Sequence, residues 1–495
     1  MIKLSKLRIE TLRKDGRWNN EDPSVSGIET NSLRIKKGEM FFALEGIKSH
    51  GAEFVGEAIK RGASVIVTDD RGHKIIKKEG KNFQKPVLVC SNLNKVLTEM
   101  CLFFFSPLPS YLMAVTGTNG KTSVVNFTRQ LLELNKISCL SIGTLGTIGS
   151  INISTDITTP DQVELYKILT KAKEIGTNYS CIEASSHAIH QGRLAGLEFN
   201  SFLFTNLSQD HLDYHVNIEN YFCAKLSILN NLNQDTRIFA NIDDQYGKRF
   251  AEISKNRGFF VETIGFNTGA DMVLKSFQNT MNTQIVEFNY KGKKQNTQTN
   301  LVGRFQVSNL GLAALACKGF GLKLDEVLDC IPKVKPIPGR MEFVGETKLG
   351  ARVFIDFAHS PDSLEKLLNT FKTETQSNLI LVFGAGGERD KDKRKQMGLV
   401  ASELADKIYV TDDNPRNEDA ALIRREIINF CPEAVEVADR AEAIFRAIEK
   451  SELGDTVIIA GKGHESVQII GNQQFPFNDF EQASIAIETV KGIKG

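Results

Sequence analysis

A single tryptophan in 495 residues, no Cys-x-x-Cys pair among eight cysteines, and a formal net charge of only +1 are what this chain has least of. Without a charge excess there is no bulk field to draw nucleic acid or an anionic membrane surface, so any anionic ligand must be held by local groups. Without paired cysteines, neither a disulfide framework nor a thiolate metal site is signalled. Most of Cys90, Cys101, Cys139, Cys181, Cys223, Cys317, Cys330 and Cys431 lie in apolar runs, where buried free thiols in a reducing compartment are expected. No apolar run approaches the roughly 18 residues of a membrane-spanning helix. The start, Met1-Ile-Lys-Leu-Ser-Lys-Leu-Arg8, carries charge where a signal peptide needs an apolar stretch. Internal repeats and low-complexity tracts are missing too. The expectations are no nucleic-acid partner, no membrane insertion, a cytoplasmic setting and a monomer. What remains, 41% hydrophobic and 24% charged residues, is the composition of an ordinary globular protein, long enough for about three domains.

Against that plain background, Thr116-Gly-Thr-Asn-Gly-Lys-Thr-Ser123 stands out. It follows the apolar run 111–115, read as a buried strand, and precedes apolar residues at helical spacing over 124–134. A strand, a glycine turn and a helix N-terminus make a phosphate cradle. Gly117 and Gly120 let the N–H groups of Thr118, Asn119 and Ser123 approach an oligophosphate, Lys121 adds a point charge, and the Thr122 hydroxyl is suited to Mg²⁺. Val115 stands where the longer form of this loop has a further glycine, so this is the short Gly-x-x-Gly-Lys-Thr version.

Two proline-bearing stretches, Ser106-Pro-Leu-Pro-Ser110 and Pro332-Lys-Val-Lys-Pro-Ile-Pro-Gly339, read as seams. They divide the chain into a smaller N-terminal α/β domain (1–108), a central P-loop-type ATPase domain with a parallel-rich sheet (109–334) and a C-terminal Rossmann-like α/β domain (335–495). In the central segment, strands are expected at 137–142, 179–183, 199–206, 237–242 and 259–266, with helices at 161–174 and 219–230. In the last segment, near-continuous apolar runs at 353–357, 379–383, 407–411 and 456–460 imply a second doubly wound sheet. The first segment has shorter strands, at 40–44 and 64–68.

Ligands of open α/β sheets bind beyond the carboxyl ends of the strands, and there the polar residues gather: Glu183-Ala-Ser-Ser-His187, Thr205-Asn-Leu-Ser-Gln-Asp-His211, Asp356-Phe-Ala-His359, Gly384-Ala-Gly-Gly-Glu-Arg389, Asp412-Asp-Asn-Pro-Arg416 and Gly461-Lys-Gly-His-Glu465. Glu183, Asp210 and His211 suit a Mg²⁺-nucleotide site beside the phosphate loop; the plain alternative is a helix cap and a loop hydrogen bond. The His187/His190 and His211/His215 spacings lack the partners of a zinc site. Gly384-Ala-Gly-Gly lacks the spacing of a dinucleotide fingerprint. Arg389 is a carboxylate or phosphate clamp, and the charge run around it, Glu388 to Arg394, is otherwise a solvated helix start. Pro415 stiffens a turn in which Asp413, Asn414 and Arg416 complement the ammonium and carboxylate of an amino-acid head, although the same residues also make an ordinary type I turn.

Taken together and in order, these segments resemble the Mur ligase family. The resemblance runs nearly end to end, through Thr158-Thr-Pro160, Glu183 to Arg193, Thr205 to His215, Ala224-Lys225, Pro338-Gly-Arg-Met-Glu342, Asp356 to Asp362, Asp413 to Arg416 and Gly461 to Glu465. The last two motifs are similar to those of members that add meso-diaminopimelate to the D-Glu γ-carboxylate of UDP-N-acetylmuramoyl-L-Ala-D-Glu in peptidoglycan biosynthesis. The resemblance implies ATP, Mg²⁺ at two sites and a CO₂-derived carbamate on Lys225. It gives catalytic and metal-binding roles to Lys121, Thr122, Glu183, His211 and Lys225, and places Asn309, Arg340, Asp356 and His359 on the nucleotide. It assigns Ser32, His50 and Gly51 to the uridine end, Thr158, Thr159, Ser185, Gln191 and Arg193 to the muramoyl dipeptide, and Arg389, Asp413, Asn414, Pro415, Arg416, Gly461 and Glu465 to diaminopimelate. The chemistry implied is phosphorylation of a carboxylate to an acyl phosphate, then attack by the incoming amine, with the last domain closing over the middle one and the seams as hinges.

The chain departs from the family pattern at Asn31-Ser32-Leu33, where Asp-Ser-Arg is common, at Ile157, and at Gln306, where Asn is common. Three other readings stay open: the lysine-adding member of the same family, a folylpolyglutamate-synthase-like ligase, and a catalytically silent nucleotide-binding scaffold. Arg416 argues against the first, since diaminopimelate has a second carboxylate that lysine lacks. The N-terminal segment argues against the second, and the complete set of Lys121, Glu183, His211 and Lys225 against the third.

Overall fold

The computed structural model describes residues 1–7, 9, 13–15, 22–46, 49–78, 85–155, 157–280, 283–372 and 375–493. The chain forms two compact units, one of 1–110, 159–180 and 187–198, the other of 111–158, 181–186 and 199–495.

The first unit is built on a five-stranded sheet in the order Arg13–Asp15, Val87–Val89, Val65–Thr68, Glu39–Ala43, Gly27–Glu29. All neighbours are parallel except the first pair. Both expected strands are there, and each is fully buried, which is why they read as apolar runs.

The second unit holds two sheets. The larger has ten strands, in the order Gly146–Gly149, Cys139–Gly143, Tyr179–Glu183, Tyr111–Thr116, Ser201–Phe204, Arg237–Asn241, Phe260–Gly265, Met272–Thr280, Thr283–Tyr290, Lys293–Thr299. From Tyr111–Thr116 to Met272–Thr280 the pairing is parallel, as the alternation of strands and helices implies. The last three strands form an antiparallel meander that the sequence reading did not anticipate. The helix expected at 219–230 is α-helical over Ile218–Leu226 and tightens to a 3₁₀ turn over Ser227–Asn230. The helix Arg304–Gly319, also unanticipated, is buried nearly all round.

The C-terminal sheet has six strands: Glu342–Glu346, Arg352–Asp356, Thr456–Ala460, Leu379–Phe383, Lys407–Val410, Val435–Glu436. Only the first pair is antiparallel. Side chains alternate across it. Phe354, Leu381, Phe383, Val410 and Ile458 face one core with the helices Pro361–Lys372, Asp392–Leu404 and Ala420–Ile428; Val353, Ile355, Ile380, Val382 and Ile459 face another with Arg440–Glu449 and Asp479–Ile493. Burial on both faces is why these strands read as unbroken apolar runs. Among the described residues no helix is long and apolar enough to cross a membrane. All eight cysteines are free, six of them buried.

Candidate functional site

The phosphate loop of the second unit is closely packed. Gly117 (φ 148°) and Gly120 (φ 87°) adopt backbone that favours glycine, and a Cβ would lie 1.8 Å from Thr205 Oγ1 at the first and 2.4 Å from Asn309 Oδ1 at the second. The loop is held before any ligand arrives. Asn206 accepts from Asn119 N (3.0 Å) through its side chain and from Thr118 N (2.9 Å) through its carbonyl, and Thr205 Oγ1 donates to Asn119 O (2.6 Å). Lys121 Nζ donates to the carbonyls of Gly117 (2.9 Å) and Thr118 (2.7 Å). Lys225 Nζ donates to that same Gly117 carbonyl at 2.8 Å and sits 4.3 Å from the Tyr221 ring. Burial lowers the pKa of both lysines, and the Lys121 ammonium pushes Lys225 further, well below its ordinary value.

Glu183, 1% exposed at the end of its strand, accepts from Thr144 N (2.9 Å) and Thr144 Oγ1 (3.1 Å). Gly143 leaves the room: a Cβ there would lie 2.1 Å from Glu183 Oε1. Thr144 in turn reaches Thr158 Oγ1 at 3.2 Å. Asp210 Oδ2 lies 3.5 Å from His211 Nε2. Burial raises the Asp210 pKa, but His211, His359, Lys393 and Lys121 outweigh it and hold the group below its ordinary value. Arg340 lies 4.2 Å over the Phe357 ring and donates to Thr122 Oγ1 at 3.4 Å. Asp356 accepts from Met341 N (2.7 Å) and Ala358 N (2.8 Å). Asn309 donates to Gln306 Oε1 at 3.3 Å, so the departure at 306 keeps a partner for the residue that closes on the loop.

A cavity of about 1060 Å³ joins these groups to the strand ends of the C-terminal sheet. Its wall includes Thr118 to Ser123, Thr158, Glu183, Ser185, His211, Lys225, Asn309, Arg340, Asp356 and His359, and also Arg389, Asp413, Asn414, Arg416, Gly461 and Glu465. Gly117 and Pro415 are not part of that wall. Arg416 (φ 53°) donates Nη1 to Gly387 O at 2.8 Å. Burial raises the Asp413 pKa, yet Lys462 and Arg440 keep it below its ordinary value.

In the first unit, Asn31 Oδ1 accepts from Leu33 N (2.9 Å), so the Asn-for-Asp departure keeps the turn that carries buried Ser32. His50 Nδ1 accepts from Ala52 N (3.0 Å), which puts the proton on Nε2, 3.2 Å from Asp69 Oδ1. Gly51 has no room for a side chain, since a Cβ would lie 2.9 Å from Ala43 Cα. Arg193 donates to Thr159 O (2.7 Å) and to Gln191 Oε1 (2.6 Å).

Sequence reasoning gave no role to Thr144, Asp362, Lys393 or Lys462. The reading of 388–394 as a solvated helix start holds for Glu388, Arg389, Lys391 and Asp392, which are exposed where the helix Asp392–Leu404 begins, and is corrected for its last two residues. Lys393 is 8% and Arg394 1% exposed; Arg394 is held by Glu418 and Glu426, and Lys393 lines the cavity. Charge alone does not reveal which lysines are buried. Among the described residues no cluster of three or more His, Cys, Asp or Glu side chains is arranged to hold a metal.

Three family models match the chain: Mur ligase family, catalytic domain, over 24–105; Mur ligase middle domain over 115–317; and Mur ligase, glutamate ligase domain, over 339–463. The chain is 38% identical to the UDP-N-acetylmuramoyl-L-alanyl-D-glutamate–2,6-diaminopimelate ligase of Agrobacterium fabrum over 475 residues, 95% of this chain and 94% of that one. A solved structure of a ligase of that name matches with a TM-score of 0.65 at 28% identity, covering 96% of both chains. The MurF ligase of Thermotoga maritima in complex with ADP shares the fold, with a TM-score of 0.66 at 17% identity over 95% of this chain and 98% of that one.

Proposed function

Because the chain belongs to the Mur ligase family, we propose that it is the ATP-dependent amide ligase joining meso-diaminopimelate to the D-Glu γ-carboxylate of UDP-N-acetylmuramoyl-L-Ala-D-Glu. The observation that carries this reading is the shared cavity: a preformed phosphate loop and a corner rich in Asp, Asn and Arg open into the same space. The loop amides, Lys121 and Arg340 would hold the phosphates of ATP, and Asp356 keeps lone pairs for a ribose hydroxyl beyond the two it uses on backbone N–H groups. The uridine end is assigned to Ser32, His50 and Gly51, and the dipeptide to Thr158, Thr159, Ser185, Gln191 and Arg193.

The donors present suit Mg²⁺. Thr122, Glu183 and His211 face the cavity without forming an all-protein cage, as expected of an ion that takes much of its shell from phosphates and water. Bound there, Mg²⁺ would neutralise charge on the transferring phosphoryl group. Lys225, 1% exposed, suits a carbamate: its amine would attack CO₂, one proton passing to water, and the N–H that remains would still reach Gly117 O. A γ-carboxylate oxygen would then take the terminal phosphoryl group, ADP would leave, and the amine of diaminopimelate would displace phosphate from the acyl carbon. Asp362, which accepts from Asn119 and Ser208, keeps the C-terminal sheet against the loop and supports exclusion of water from the acyl phosphate. A cytoplasmic setting belongs to the same reading.

The test is mass spectrometry of the product formed from the UDP-dipeptide, ATP and either meso-diaminopimelate or L-lysine. Diaminopimelate product with ADP release is expected, and Arg416→Ala should damage diaminopimelate use selectively. Greater incorporation of lysine would overturn the assignment.

A further inference from the structure

Lys462 is fully buried, and its ammonium has found two acceptors: Asn414 Oδ1 at 2.9 Å and Glu465 Oε2 at 2.9 Å. An ammonium offers three donors and no acceptor, so the side-chain atom of Asn414 that faces it has to be the oxygen. The backbone N–H of Ile469, also 2.9 Å from that oxygen, requires the same orientation. Two donors on one side leave the Asn414 amide no freedom to turn over. Its Nδ2 therefore points the other way and spends one N–H on Glu465 Oε2 at 2.9 Å. Glu465 Oε2 is thus doubly occupied, and among the described residues Oε1 takes no hydrogen bond. The Glu465 side chain is 33% exposed and lines the cavity, as does Asn414.

We propose that Lys462 is a positioning residue that locks Asn414 and Glu465 in opposite polarities, leaving one amide N–H for a carboxylate and one carboxylate oxygen for an ammonium. The corner then reads one α-amino-acid centre by charge and direction at once. Arg416, its Nη1 donating to Gly387 O, lines the same cavity. The turn alone offered an amide of both polarities; the buried lysine removes the accepting half. This inference rests on the reading that the amino-acid substrate binds in this corner.

The test compares steady-state KM values of the full-length wild type, Lys462→Met, Lys462→Arg and Asn414→Asp. In Lys462→Met, which keeps length and burial, the KM for the incorporated amino acid should rise about tenfold, the cost of a buried pair left without its partner. The KM for ATP should stay within about twofold, and Lys462→Arg should recover part of the loss. Asn414→Asp tests the polarity without touching the lysine: it turns the outward N–H into lone pairs and should weaken the amino acid at least as much. An unchanged amino-acid KM in either Lys462→Met or Asn414→Asp, or equal shifts in both KM values, overturns the proposal. Whichever amino acid the wild type incorporates serves as the probe, so a wild type that takes lysine would refute the diaminopimelate reading while the variant ratio still judges Lys462.

Discussion

Asn119 of the phosphate loop donates Nδ2 to Asp362 Oδ2 at 2.9 Å, and Ser208 Oγ donates to the same oxygen at 2.8 Å. Asp362 lies in the first turn of the helix Pro361–Lys372, which packs on the C-terminal sheet, so one carboxylate ties the phosphate loop to the sheet beyond whose strands Asp413, Asn414 and Arg416 lie. Charge-assisted hydrogen bonds of this kind contribute about 1.5–3 kcal/mol. Asp362→Ala should therefore lower kcat/KM for ATP roughly tenfold. Asp362→Asn keeps one acceptor and should lose less. Initial rates of phosphate release across an ATP titration measure both.

Lys225 and Lys121 share one carbonyl oxygen, an arrangement that disfavours two ammonium charges and favours a neutral, nucleophilic Lys225. Enzyme held in CO₂-free buffer should lose activity, and bicarbonate should restore it. Lys225→Met should be inactive under both conditions. Carbon-13 NMR after exposure to labelled CO₂ supplies a readout separate from turnover: a carbamate signal is expected in the wild type and absent from the variant.

Much of this was legible because burial on both sides of a sheet writes itself as an unbroken apolar run. The strands that deliver Glu183, Asp356 and Asp413 stand out for that reason, and so do the polar residues just beyond them. The meander over 272–299 was hidden because its outer strand, Lys293–Thr299, is almost wholly polar and its middle strand is only half buried. The roles of Lys393 and Lys462 were hidden for a different reason. A lysine in a charged or glycine-rich run reads as solvated, and only the packing of neighbouring strands shows that its ammonium is enclosed. The polarity of Asn414 was beyond sequence reasoning altogether, since the donors that set it, Lys462 and Ile469, lie 48 and 55 residues away.

In the first unit, Arg34 donates Nη1 to Glu164 Oε2 at 2.9 Å and Nη2 to Asp161, which caps the helix Gln162–Glu174. Lys167 of that helix reaches Glu29 at 2.8 Å. The turn bearing Ser32 is therefore anchored to the segment that begins at Thr159. Arg34 is 38% exposed, and pairs this accessible contribute no more than about 1 kcal/mol. Arg34→Met should raise KM for the UDP-dipeptide about two- to fivefold while leaving kcat and the KM for ATP near wild type. Glu164→Gln should have a smaller effect in the same direction. Varying the UDP-dipeptide at saturating ATP and amino acid separates the two terms.

His464 makes stability depend on pH in a predictable direction. Burial, reinforced by the Arg340 cation, pushes its pKa down to about 3 from an ordinary 6.5, and its ring lies 5.1 Å from that of Phe357. The folded state thus keeps a neutral imidazole where the unfolded chain takes up a proton. Because the unfolded state binds more protons between these two values, acid favours it. The contribution is fully present above about pH 6.5 and is lost as pH falls from there toward 3. Between pH 7.5 and 5.5 it should shrink by about 1.4 kcal/mol, one proton's worth of linkage over a unit of pH. Thermal melts across that range should show Tm falling with acid. His464→Gln, which has no proton to gain, should melt lower at neutral pH but lose less between the two pH values. A variant whose melting temperature follows the wild-type slope would assign the acid sensitivity to other groups.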